Sequence, residues 1–165
     1  MSLSVTDYLI DQSSVDWPRT LGSWSWLLPR EFTLWIVNRF ADLFLVIPDG
    51  SVYMLDTGAG TLNRVADGRD DFCSRIDEDD NASQWLMIPL VDHAVAAGMV
   101  LQPGQCYGFK LPPVLGGHYV VENVAVLPVW DYLSACGSIH AQLRDVPDGS
   151  QVVLDVINDS GAGRD

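Results

Sequence analysis

The sequence predicts an α+β fold: a single domain with a mainly antiparallel sheet and about three flanking helices. Three observations carry this. Short β-branched and aromatic segments joined by Pro- and Gly-containing turns are gathered between residues 32 and 66, and strands joined by tight turns are antiparallel. Helical patterns follow, with Leu86, Met87, Leu90, Val91 and Ala94 at helical spacing. Finally, 48% of the 165 residues are hydrophobic, which suffices for one core but not for two ordinary domains.

Residues 1–30 carry Trp17, Trp24 and Trp26 among Pro18, Gly22 and Pro29. They are read as a short amphipathic helix at residues 6–13 followed by an irregular aromatic wrap, whose large rings serve as core. Strands are expected at 33–38 and 42–47, then the turn Pro48-Asp49-Gly50-Ser51, where Pro presets φ and Gly supplies a positive φ. A third strand at 51–56 places Val52 and Met54 on one face and Tyr53 and Leu55 on the other. Thr57-Gly58-Ala59-Gly60 turns the chain into a short fourth strand at 61–65. A helix at 69–76 begins with acids that its dipole favours. Another at 83–97 starts late or bends at Pro89 and stops at Gly98. Strands at 105–110 and 119–126 flank a loop, and a helix at 130–143 is weakened by Gly137. A last strand at 151–157 follows Pro147-Asp148-Gly149. The organisation is thus an aromatic N-terminal wrap (1–30), one α+β domain (31–157) and a flexible tail (158–165). Leu43, Leu45, Val52, Met54, Leu86, Leu90, Val121 and Trp35 are the expected core.

Charge excludes several functions. Nine Lys+Arg against 22 Asp+Glu give a net −13, and Lys110 is the sole lysine. Such a surface repels nucleic-acid phosphates and anionic lipid and attracts a basic partner. Cys73, Cys106 and Cys136 form no CxxC pair, and His93, His118 and His140 are far apart. No zinc site, other metal, cofactor or disulfide is therefore expected. Asp77-Glu78-Asp79-Asp80-Asn81 lacks the Gly and terminal Glu of a calcium loop. Thr57-Gly58-Ala59-Gly60 lacks the third Gly of a dinucleotide fingerprint and the GK[ST] of a phosphate loop, so it reads as a hairpin turn. No GxSxG occurs, and Ser138 and His140 do not share a helical face. The chain is expected not to be an enzyme. The alternative is a small-ligand-binding or enzymatic site built on Cys106, Tyr107 and His118, or a self-associating accessory protein of a mobile element. The first ten residues show no basic and apolar leader pattern, and no apolar run reaches 18 residues. The expected compartment is a reducing cytoplasm.

One set of motifs goes further. Phe40-Ala41-Asp42-Leu43-Phe44 leads through Asp49-Gly50-Ser51-Val52 to Leu55-Asp56-Thr57-Gly58. Later come Leu101-Gln102-Pro103-Gly104-Gln105-Cys106-Tyr107-Gly108 and Pro112-Pro113-Val114-Leu115-Gly116-Gly117-His118-Tyr119, with Asn123 behind. In this order, over about residues 30–125, they resemble the C-terminal domain family of type VI secretion DNase-immunity proteins. Ala41 departs from the pattern, which would have Gly there. The resemblance implies a cytosolic bacterial α/β protein whose relatives neutralise a co-encoded toxin by binding it. The expected partner is a cognate protein toxin of the nuclease type; a homodimer is also compatible. A nuclease presents a basic cleft, so the candidate contact residues are the acids Asp67, Asp70, Asp71, Asp77, Glu78, Asp79 and Asp80. The second candidate is the loop of Pro112, Pro113, Gly116, Gly117 and Tyr119, stiffened by its prolines and reversed at its glycines.

Overall fold

The computed structural model describes residues 4–146. The expected strand at 151–157, its preceding turn and the tail lie outside the described residues. Four strands, β1 (Thr33–Val37), β2 (Leu43–Val46), β3 (Val52–Asp56) and β4 (Thr61–Ala66), form an antiparallel sheet in chain order. A second sheet is the hairpin of β5 (Gln105–Phe109) and β6 (Val124–Pro128). Five helices accompany them: α1 (Trp17–Thr20), α2 (Arg69–Arg75), α3 (Asn81–Trp85), α4 (Ile88–Ala96) and α5 (Val129–Leu143). The described residues form a single α+β domain, with five helices where about three were expected.

The larger sheet carries core on both faces of its inner strand β2, which is apolar at every position, while edge strand β4 leaves Thr61, Asn63 and Arg64 exposed. Phe44 joins Val52, Phe72 of α2, Leu86 just after α3, Leu90, Val91 and Ala94 of α4, and Tyr107 and Phe109 of β5. Leu43 and Leu45 point the other way, with Leu55, Trp24, Cys106 and Val129, Leu133 and Cys136 of α5. The alternation expected in β3 holds, since Val52 and Leu55 fall in different clusters. Of the expected core, Leu43, Leu45, Val52, Leu86 and Leu90 are buried. Met54, Trp35 and Val121 are only half-buried against the first cluster. Trp35 lies on the edge strand, with Phe72 edge-on at 5.1 Å and the Arg69 guanidinium 5.5 Å from its ring centre.

Three expectations about boundaries are corrected. The amphipathic helix at 6–13 is a single 3-10 turn, Val5–Tyr8. Beyond it the backbone runs extended, with Ile10 N–H donating to Val37 C=O and Arg39 N–H to Tyr8 C=O, so pairing with the edge of β1 replaces helix. The helix at 83–97 is two helices, broken where Met87 takes φ +54° just before the Pro89 turn. The strand at 119–126 starts five residues late, at Val124, because Val121–Asn123 forms a 3-10 turn that closes the preceding loop.

The wrap of residues 17–28 is tied to α5 through its indoles. Trp24 Nε1–H donates to Leu133 C=O at 2.9 Å, and Trp26 Nε1–H to Gly137 C=O at 3.3 Å. Those carbonyls are four residues apart, about 6 Å along a helix, and the two indoles stack with centroids 6.1 Å apart. Gly137 is what lets the wrap approach. A Cβ there would overlap Ser23 Oγ and lie 2.9 Å from the Ser23 carbonyl carbon. Gly137→Ala, although alanine is the better helix former by about 1 kcal/mol, should therefore destabilise the fold by about 1–3 kcal/mol. Urea denaturation measures this, and a stabilised variant would show that the wrap does not rest on α5. Leu45→Ala, at a position with no solvent exposure, should cost about 2–5 kcal/mol in the same assay.

Candidate functional site

The motif residues converge at one end of the four-stranded sheet, around a buried polar chain. Asn38 ends β1 and is fully buried. Its Oδ1 accepts from the backbone N–H groups of Phe40 and Asp42, both at 2.9 Å. Its Nδ2 donates to Asp42 Oδ2 at 2.8 Å and to the Trp85 carbonyl at 2.9 Å. Asp42 Oδ1 in turn accepts from Thr57 N–H at 2.8 Å, and Thr57 Oγ1 donates to the Ala41 carbonyl at 2.7 Å. Ala41 takes φ +61°, the left-handed region that favours glycine, the residue the resemblance would place there.

The β3–β4 turn closes this chain. Gly60 N–H donates to Asp56 C=O and Ala59 N–H to the Asp56 carboxylate, so Thr57-Gly58-Ala59-Gly60 is the hairpin turn expected rather than a phosphate loop. His140 of α5 lies 3.0 Å from the Thr57 carbonyl through Nε2. A carbonyl only accepts, so Nε2 carries the proton. Burial holds His140 below its ordinary pKa, which keeps the ring neutral. Gly60, at φ +71°, leaves room for that ring; a Cβ would lie 2.5 Å from its Cγ. Burial, and next the charge of Asp56, push the Asp42 carboxyl up to about 7.

The loop candidates meet the same turn from outside. Asn123 staples the loop's ends: its Oδ1 accepts from Leu111 N–H, and its Nδ2 donates to the carbonyls of Leu111 and His118. Pro112 C=O accepts from Leu115 and Gly117 N–H. Gly116 takes φ +100°, and Gly117 packs where a Cβ would collide with the Leu111 carbonyl. Pro113 and the Tyr119 hydroxyl both lie over Gly58. Burial, with Asp56 nearby, raises the Tyr119 phenol to about 12.

The acidic candidates lie elsewhere, past the far end of β4. Asp67, Asp70, Asp77, Glu78, Asp79 and Asp80 are exposed and Asp71 is half-buried. Asp67 pairs with Arg64 at 2.9 Å and Asp71 with Arg75 at 2.8 Å. The Asp67 N–H, then Arg75, hold the Asp71 carboxyl below its ordinary range. Cys106, Tyr107 and His118 are not brought together. Cys106 faces the α5 side and Tyr107 the α4 side, where its hydroxyl donates to Met99 C=O, while His118 is exposed. Burial raises the Cys106 thiol far above its usual range, which disfavours the thiolate a nucleophile needs. Among the described residues no group of three or more His, Cys, Asp or Glu side chains could hold a metal, and no helix is long and apolar enough to cross a membrane.

Asp42 sets a pH signature. Its native pKa is raised above the value near 3.9 of an unfolded chain. The folded state therefore holds a proton that the unfolded state has lost, and stability from this group falls as pH rises from about 4 towards 7. Asp42→Asn turns an NH2 towards either Asn38 Nδ2 or Thr57 N–H, leaving one donor unmatched at about 1–3 kcal/mol. It also abolishes the Asp42 slope, so its destabilisation should be larger at pH 5 than at pH 8. Denaturation at the two pH values reads this; a cost that grows with pH would contradict the protonated assignment.

A crystal structure of Atu4351 from Agrobacterium tumefaciens is similar to 72% of this chain at 17% identity and a TM-score of 0.48. The alignment covers 59% of that protein, so this chain spans about three fifths of its length. No curated protein matches the chain. Residues 66–140, from the end of β4 through α2, α3, α4, the β5–β6 hairpin and most of α5, match the family model described as T6SS immunity protein Tdi1, C-terminal. Over that segment the chain is consistent with a type VI secretion immunity-protein C-terminal domain.

Proposed function

We propose that the protein is an immunity protein that neutralises a nuclease-type toxin in the cytoplasm by binding it, with no reaction of its own. The family match over residues 66–140 carries this reading, and the net charge of −13 supports it. A nuclease must hold a phosphate backbone with cationic groups. An acidic inhibitor is drawn to that surface and competes with DNA for it. The acids of residues 67–80 suit such an encounter: all but the half-buried Asp71 are exposed, they gather around α2, and only two arginine pairs neutralise them among the described residues. Exposed like charges contribute little to folding, so a run of this kind is free to serve association.

The test is association kinetics with the product of the adjacent toxin gene. Reversing Asp77, Glu78 and Asp79 to Lys should leave the fold intact and slow association by roughly an order of magnitude at low salt. The difference should shrink at about 0.5 M salt, where screening shortens the reach of exposed charges. Equal rates at both salt concentrations would remove these residues from the interface.

A further inference from the structure

Of the seven large hydrophobic side chains exposed among the described residues, four fall within ten positions of one loop. They are Leu111 (48% exposed), Val114 (42%), Tyr119 (51%) and Val120 (45%). Apolar side chains scattered singly on a surface need no explanation, but four exposed on one short loop point to a site of contact. The loop is also unusually well held for an exposed segment. Asn123 makes three side-chain hydrogen bonds to it, Lys110 N–H donates to Asn123 C=O at 2.7 Å, and Pro112 and Pro113 remove two soft dihedrals. Tyr119 is fixed at its base, edge-on to Phe109 at 5.0 Å, with its hydroxyl over the β3–β4 turn. A rigid apolar projection gains nothing for the isolated fold from its exposed rings and methyls. In a complex, the ordering entropy of a flexible loop has already been removed.

We infer that this loop is the apolar anchor of the toxin interface, with Tyr119 at its centre and Leu111, Val114 and Val120 excluding water around it. The inference rests on the immunity reading and adds to it the place and chemistry of the contact. A buried tyrosine ringed by apolar contacts is the composition that concentrates binding energy in protein interfaces. The complementary feature on the partner is an apolar pocket rimmed by cations. The exposed Lys110 and Glu122 border the loop in sequence, the half-buried Asp56 lies near Tyr119, and the whole chain carries −13. The acidic segment is a separate surface. Tyr119 sits at the turn where β4 begins, and Asp67 follows its end, five residue steps or roughly 17 Å along the strand. Steering and anchoring are thus assigned to opposite ends of one strand.

The experiment measures association rate, dissociation rate and Kd against the adjacent gene's product, with circular dichroism confirming each fold. Variants are Leu111→Ser/Val114→Ser, Tyr119→Ala, Asn123→Ala and the triple lysine reversal of Asp77, Glu78 and Asp79. The double serine variant and Tyr119→Ala should each raise Kd by about tenfold or more, chiefly through faster dissociation and equally at low and high salt. Asn123→Ala, which frees the loop without removing an apolar group, should weaken binding by a smaller factor. Should Tyr119→Ala unfold, the double variant decides, since its side chains are exposed. Wild-type binding with unchanged dissociation in the folded loop variants would overturn the anchor and leave the immunity reading standing. Wild type that does not bind would overturn the immunity reading and the anchor with it. A wild-type dimer in sedimentation that the loop variants abolish would make the occupant a second copy and overturn the assignment to a toxin.

Discussion

Asn38 is the point on which the arrangement of layers depends. The last carbonyl of α3, that of Trp85, has no partner within its own helix, as at any helix end, and Asn38 Nδ2 supplies one. The same amide fixes the β1–β2 turn through Oδ1 and holds Asp42. Asp42 passes the constraint to Thr57, and the Thr57 carbonyl passes it to His140 on α5. A continuous polar chain therefore links the helices on one face of the sheet to the helix on the other, around the sheet's end. An apolar replacement at Asn38 would take this partner from the Phe40 and Asp42 N–H groups, the Trp85 carbonyl and Asp42 Oδ2 in a dry interior, where each unmatched group is expensive.

The two core clusters explain how a chain of this size holds a sheet whose strand β2 is covered on both faces. Antiparallel sheets commonly keep one face wet, and their strands then alternate apolar and polar residues. Here β2 reads Leu-Phe-Leu-Val without a polar residue, and both its faces need cover. Helices α2 and α4 supply one cover. The other comes from α5 and a segment, residues 17–28, that has little regular structure and relies on indole N–H bonds to keep its place. Aromatic area substitutes for helix there.

Much of the strand layout was legible because turns with Pro and Gly punctuate it and because β2 and β3 show their apolar phases plainly. The split of the second helix was partly legible, since Pro89 marks it, but the left-handed Met87 carries no local signal. The N-terminal turn is shorter than the predicted helix because the chain pairs with β1, a contact some thirty residues away that no local period reveals. The polar chain was half visible. Asp42, Thr57 and the glycines stood in the recognised motifs, whereas Asn38 and His140 looked like ordinary polar residues at the end of a strand and within a helix. Their roles depend on tertiary convergence. The motifs that carry the family resemblance are therefore largely architectural: they shape the sheet's end and staple the loop, and the contact surfaces proposed lie on what that frame displays.

The extended residues after Tyr8 have a consequence for solubility. They occupy the outer edge of β1, a strand of sequence Thr-Leu-Trp-Ile-Val, with Leu9 bridging Asn38 and Gln12 donating to the Trp35 carbonyl. A bare edge of that composition, free of charge and proline, is a template for intermolecular β-pairing and fibril growth. The N-terminal segment is thus a built-in guard against aggregation, and proteolytic loss of a dozen residues would convert a stable fold into a nucleus for insoluble assembly.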